Sequence, residues 1–191
     1  MQIKSILKKC CDHMDLDVPA ECFSGNEELL QEQLAEGGTL NILLKGLNSV
    51  VREITSEYFP EVCTATAETV TGQIPLDDLE DMGEILYATD GNGVRVRTFY
   101  RNGCVVLPHP GSYTLTYLHR PLTDLSFEDS YYSANFNLTE DILAYGALCE
   151  YCLYKEDYDN MAIWDKRYKD GLQSVSRPRR NLEMPRRRWL I

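Results

Sequence analysis

Few residues of this sequence are placed to do chemistry. The three histidines, His13, His109 and His119, fall in different predicted elements. His109 lies between Pro108 and Pro110, a rigid turn rather than a general-base setting. Seven cysteines, Cys10, Cys11, Cys22, Cys63, Cys104, Cys149 and Cys152, are odd in number and irregular in spacing. Cys149-Glu150-Tyr151-Cys152 has C-x-x-C spacing, but it lies in a helical pattern with no second pair. A structural zinc site needs four ligands. Two acidic runs, Asp77, Asp78, Glu80 and Asp81, then Glu156, Asp157 and Asp159, can hold cations weakly. A solvated acidic loop explains them at least as well. No P-loop, dinucleotide glycine pattern or G-x-S-x-G occurs, and Gly91-Asn92-Gly93 lacks the helix that a phosphate cradle requires. The expectation is a non-enzyme with reduced thiols and no metal or cofactor.

The charge is distributed more tellingly. Residues 177–191 contain Arg177, Arg179, Arg180, Arg186, Arg187 and Arg188 against one acid, Glu183, a net +5. The whole chain carries −11, so the preceding 176 residues carry −16. The basic segment closes on Trp189, Leu190 and Ile191. Arginine with aromatic and aliphatic anchors is the composition of a docking peptide, although a frayed basic end has the same charge. Pro178 and Pro185 oppose helix beyond Ser176, so an extended segment is predicted.

Composition suits one core with an insertion: 191 residues, 43% of them hydrophobic. No apolar run approaches the roughly 18 residues of a membrane helix. The first nine residues interleave lysine with apolar side chains and lack a signal peptide's continuous apolar stretch. Synthesis in a cytoplasm is expected, with free thiols packed as small hydrophobes.

Three parts must position these residues. The first is helical. Ile3, Ile6, Leu7, Cys10 and Met14 repeat at helical spacing. After a loop over 15–24 comes a short helix over 26–35, stopped by Gly37-Gly38. A longer helix then carries the stripe Leu40, Leu43, Leu44, Leu47, Val50, Val51, Ile54 and Tyr58, with Thr39 as its predicted cap and Pro60 as its end. The second part, rich in threonine, valine and tyrosine, predicts one antiparallel sheet of about four to six strands. Its hairpin signals are Asp90-Gly91-Asn92-Gly93 and Asn102-Gly103, and Ile74-Pro75-Leu76 is read as a connector. Arg95, Arg97 and Arg101 on one hairpin can touch phosphate or simply form a solvated face. The third part is helical again. Asn137 and Glu140 suggest a capping box, and helices over 138–154 and 157–175 form a hairpin. The second helix carries Met161, Trp164, Tyr168, Leu172 and Val175. The predicted class is α+β: a helical bundle of 1–60 and 137–176, a β-rich insertion over 61–136, and a basic docking tail over 177–191.

This order, with Leu143-Ala144-Tyr145-Gly146 in one helix, Trp164-x-x-x-Tyr168 in the next and an Arg-Arg-Trp ending, resembles the head-to-tail adaptor (connector) proteins of tailed bacteriophages. Tyr58-Phe59-Pro60 after the leucine helix is similar to that group too. The layout covers the chain, whereas the motifs cover about forty residues. The resemblance implies a virion neck protein made in the host cytoplasm. It implies self-association into a dodecameric ring beneath the portal protein, with a tail or nozzle component below and DNA passing through the channel. The tail residues, Arg177 to Ile191, would then reach the portal.

Charge agrees with such a channel, since a body at −16 repels phosphate rather than gripping it. The competing reading is an intracellular protein- or nucleic-acid-binding module that uses the arginine-rich tail.

Overall fold

The computed structural model describes residues 1–76, 79, 82–119, 124–133 and 138–176. The class is α+β: among the described residues, five helices and two small antiparallel sheets. The basic segment 177–191, the acidic run at Asp77, Asp78, Glu80 and Asp81, and Asn137 lie outside the described residues.

Helix α1 (Ile3–Met14) precedes a short 3-10 turn (Ala20–Phe23), α2 (Glu27–Leu34) and α3 (Thr39–Glu53). The leucine helix keeps α geometry only to Glu53. One wider π turn, Ile54–Tyr58, follows, with Phe59 N–H donating to Ile54 O at 2.8 Å. Gly38, not Thr39, precedes the first turn. The Thr39 hydroxyl instead bonds to Tyr151.

Helices α4 (Glu140–Tyr154) and α5 (Tyr158–Ser176) close the described chain. Thr139 caps α4 through its hydroxyl, which accepts from Ile142 N–H, so the role expected of Asn137 falls to Thr139. Glu140, in the first turn of α4, reaches α1. It accepts from Ser5 Oγ at 3.0 Å and pairs with Lys9 at 3.2 Å.

α4 is apolar around most of its circumference, as a helix surrounded by others must be. Its buried residues, among them Leu143, Ala144, Ala147, Leu148 and Cys152 at 0% exposure, meet α1, α3 and α5. The expected core residues Leu43, Leu47, Ile54, Leu143 and Trp164 are all buried.

Seven strands form two sheets where the sequence suggested one. Strands β1 (Val62–Thr69), β3 (Met82–Asp90), β4 (Arg95–Val96) and β7 (Gly111–His119) pair in the order β1-β7-β3-β4. Strands β2 (Gln73–Pro75), β5 (Phe99–Arg101) and β6 (Cys104–Val106) pair in the order β2-β6-β5. The connector Ile74-Pro75 is therefore a strand, and Ile74 is buried against Val105 of its neighbour β6. Ile85, Ala88, Tyr113 and Leu115 of the first sheet complete this second core. Both sequence-marked turns occur. Asn102 and Gly103 take φ of 51° and 72°, the pair of left-handed residues that a tight hairpin needs. Asp90 Oδ1 accepts from the N–H groups of Asn92 and Val94, both at 2.9 Å.

The helical body takes the chain back well before residue 136. Phe127 and Tyr131 belong to its core. The first residues pair with this segment: Tyr131 N–H donates to Met1 O at 2.8 Å, and Ile3 N–H to Asp129 O at 3.1 Å.

Candidate docking surfaces

The junction that roots the C-terminal segment is built around Gly146. A Cβ there would lie 2.8 Å from both Val50 methyl carbons and 3.1 Å from Tyr168 Cε2. The absence of a side chain thus lets α3 and α5 approach α4 at the same level. One residue earlier, Tyr145 stacks on Trp164 with ring centroids 5.7 Å apart, and His13 lies against both rings at 5.5 and 5.7 Å. Arg167 covers the Trp164 ring at 4.8 Å. Tyr168 donates its hydroxyl to Glu53 Oε2 at 3.0 Å, joining α5 to the end of α3. Burial, then the Glu53 charge, pushes the Tyr168 phenol far up. Gly171 brings α5 against Ile142 at the start of α4. Leu172, 1% exposed, and Val175 carry this anchoring to the last turn before the basic segment.

The structure does not gather the other candidate residues. His13 stacks in the aromatic group, His109 O accepts from Tyr113 Oη in a turn, and His119 N–H donates to Glu61 O at the end of the sheet. No group of three or more His, Cys, Asp or Glu is placed to hold a metal among the described residues. All seven cysteines are free. Burial is the first cause that raises the Cys11, Cys149 and Cys152 thiols to about 11. In the second acidic run, Asp157 has a local task. Its carboxylate accepts from Asn160 N–H at 3.3 Å and from Asn160 Nδ2 at 2.7 Å, capping α5. No described helix is long and apolar enough to cross a membrane.

Three surfaces remain open to partners. Arg95, Arg97 and Arg101 do not share one hairpin: the strip over 94–101 joins β4 of the first sheet to β5 of the second and exposes Val94, Phe99 and Tyr100 beside Arg97 and Arg101, while Arg95 lies over the Tyr87 ring at 4.1 Å. Leu153, Tyr154, Tyr158 and Ile163 are exposed around the α4–α5 turn. A cleft of ≈ 230 Å³ separates the helical body from the first sheet, between Asn48, Arg52, Glu61, His119 and Tyr132. The sequence marked the arginines of the first surface but not its exposed Val94, Phe99 and Tyr100, nor the other two surfaces. No protein-family model matches the chain, and no curated protein is similar to it.

Proposed function

We propose that this chain is a structural virion protein: a head-to-tail adaptor that forms a ring beneath the portal protein and passes DNA through its channel. The observation that carries the reading is the junction at Gly146. The Ala-Tyr-Gly helix and the Trp-x-x-x-Tyr spacing, where the resemblance to phage adaptors is strongest, are the pieces that lock α3, α4 and α5 together. They pack α5 against α3 and α4 up to the last described turn. The segment 177–191, with Arg186, Arg187 and Arg188 followed by Trp189, Leu190 and Ile191, docks on the portal. Arginine there grips carboxylates in a bidentate fork while the apolar residues fill a pocket. Many such arms in one ring give avidity beyond any single contact.

Two further features support this reading. Exposed apolar residues on both the strip over 94–101 and the α4–α5 turn suit a subunit that must meet neighbours on several sides. A body at −16 suits a channel that lets phosphate slide.

The test is electron microscopy of the purified chain mixed with the portal protein of its virion, together with heparin chromatography. The reading expects rings stacked on portals and weak retention on heparin at moderate salt. A chain that forms no ring and binds heparin tightly through 177–191 is instead a nucleic-acid-binding module.

A further inference from the structure

A groove on the helical body and an exposed strip on the β part have unmatched groups of opposite kind. The groove, between α3 and α4, encloses ≈ 360 Å³ and is lined by Glu36, Asn41, Lys45, Ser49, Glu150 and Tyr154. Gly46 makes room for it; a Cβ there would lie 2.9 Å from Glu150 Cβ. Its polar atoms are mostly acceptors. Asn41 spends its Nδ2 on Leu34 O, which leaves Asn41 Oδ1 buried with no donor. Glu36 and Glu150 make no ion pair among the described residues. Two carboxylates face one ammonium, Lys45, which is exposed. Glu53 adds negative potential from behind: after burial, its charge is what raises the Glu150 carboxyl above its ordinary value. The groove therefore lacks a donor-rich cation.

The strip over 94–101, between β4 and β5, offers one. Arg97 and Arg101 are exposed and make no ion pair, side-chain hydrogen bond or ring contact among the described residues. Val94, Phe99 and Tyr100 flank them at 59%, 61% and 54% exposure, values too high for a strand whose face is covered. Gly91 and Gly93 in the β3–β4 turn and Gly103 in the β5–β6 turn face open space, so the turns at either end of this strip stand clear of the body. Tyr154, 63% exposed, lines the groove and presents an aromatic surface to such a strip. Arginine with aromatic neighbours is the composition enriched at protein interfaces.

We propose that the strip over 94–101 of one copy docks in the α3–α4 groove of a second copy, with Arg97 and Arg101 donating to Glu36 and Glu150. The two halves are different surfaces of the same chain, so the contact is heterologous. Repeated head to tail, it generates a ring when the rotation closes. The inference rests on the ring reading given above and supplies its subunit contact.

Mass photometry of the full chain tests it, with folding checked by circular dichroism. Arg97→Glu with Arg101→Glu, and separately Glu36→Arg, should each weaken self-association on the order of tenfold, because facing like charges oppose the contact. Combining the three substitutions should restore part of the loss. Rings that form equally well in all variants would overturn the contact and leave the adaptor reading standing. Failure of the combination to recover association would overturn it too. A native chain that stays monomeric at every concentration also sinks the contact, while the portal-binding test of the tail judges the adaptor reading separately.

Discussion

Asn48 holds the backbone of Leu125 at two points: its Nδ2 donates to Leu125 O at 3.0 Å, and its Oδ1 accepts from Leu125 N–H at 2.8 Å. Asn48 is 9% exposed, and the pair ties the chain returning from the sheets to the middle of α3. Arg52 adds an exposed ion pair to Asp124 at 2.7 Å, of the kind that contributes little. Asn48→Ala would leave both Leu125 groups without their partner. The expected loss is about 1–3 kcal/mol, the cost of stranding buried polar groups, read as a lower urea midpoint. An unchanged midpoint would show that this bond does not hold the segment.

Gly146→Ala sets two effects against each other. Alanine in a helix interior gains about 1 kcal/mol over glycine. Against this, the new methyl meets the Val50 carbons at 2.8 Å, and overpacking of this kind costs about 1–3 kcal/mol. The clash should dominate, so the variant melts lower than the native protein. Adding Val50→Ala, which removes both obstructing methyls, should recover part of the loss relative to Val50→Ala alone. Additive losses in the double variant would contradict the close approach.

The carboxyl of Glu150 is raised from its ordinary value of 4.5 by burial and then by the Glu53 charge. A carboxyl whose folded value exceeds its unfolded one lowers stability when ionised. That cost is fully present above the folded value and is relieved as pH falls through it toward the unfolded value. Glu150→Gln imitates the neutral form. At low protein concentration it should melt higher than the native chain at neutral pH, with the gap closing as the pH approaches about 4. A gap independent of pH would remove the electrostatic explanation.

Much of the helical body was legible because its residues repeat at 3.6-residue spacing. The stripe from Leu40 to Ile54, with Leu44 half-buried, and the series Trp164, Tyr168 and Leu172 are buried as their periods require, whereas Tyr58, expected on the same stripe, ends the π turn 38% exposed. The turns were legible where asparagine and glycine demand left-handed backbone, as at Asn102-Gly103. The division into two sheets was not. Gln73-Ile74-Pro75 is short and contains proline, so only its tertiary pairing with β6 makes it a strand. The return of Phe127 and Tyr131 to the helical core also escaped local reading, because it depends on Asn48 and on pairing with the first residues of the chain. That Thr139 caps α4 was not legible either, because asparagine and threonine two residues apart are both good cap residues. The proposed docking residues, Arg177 to Ile191, were read from charge and composition alone, and they lie outside the described residues.

The central claim concerns that segment. Leu172 and Val175 anchor the helix before it, and residues 177–191 lie outside the described residues. Removing 177–191 should leave the circular dichroism spectrum and the melting temperature unchanged and abolish pull-down by the portal protein. Normal portal binding by the truncated chain would contradict the docking role, and loss of folding would show that the segment belongs to the core.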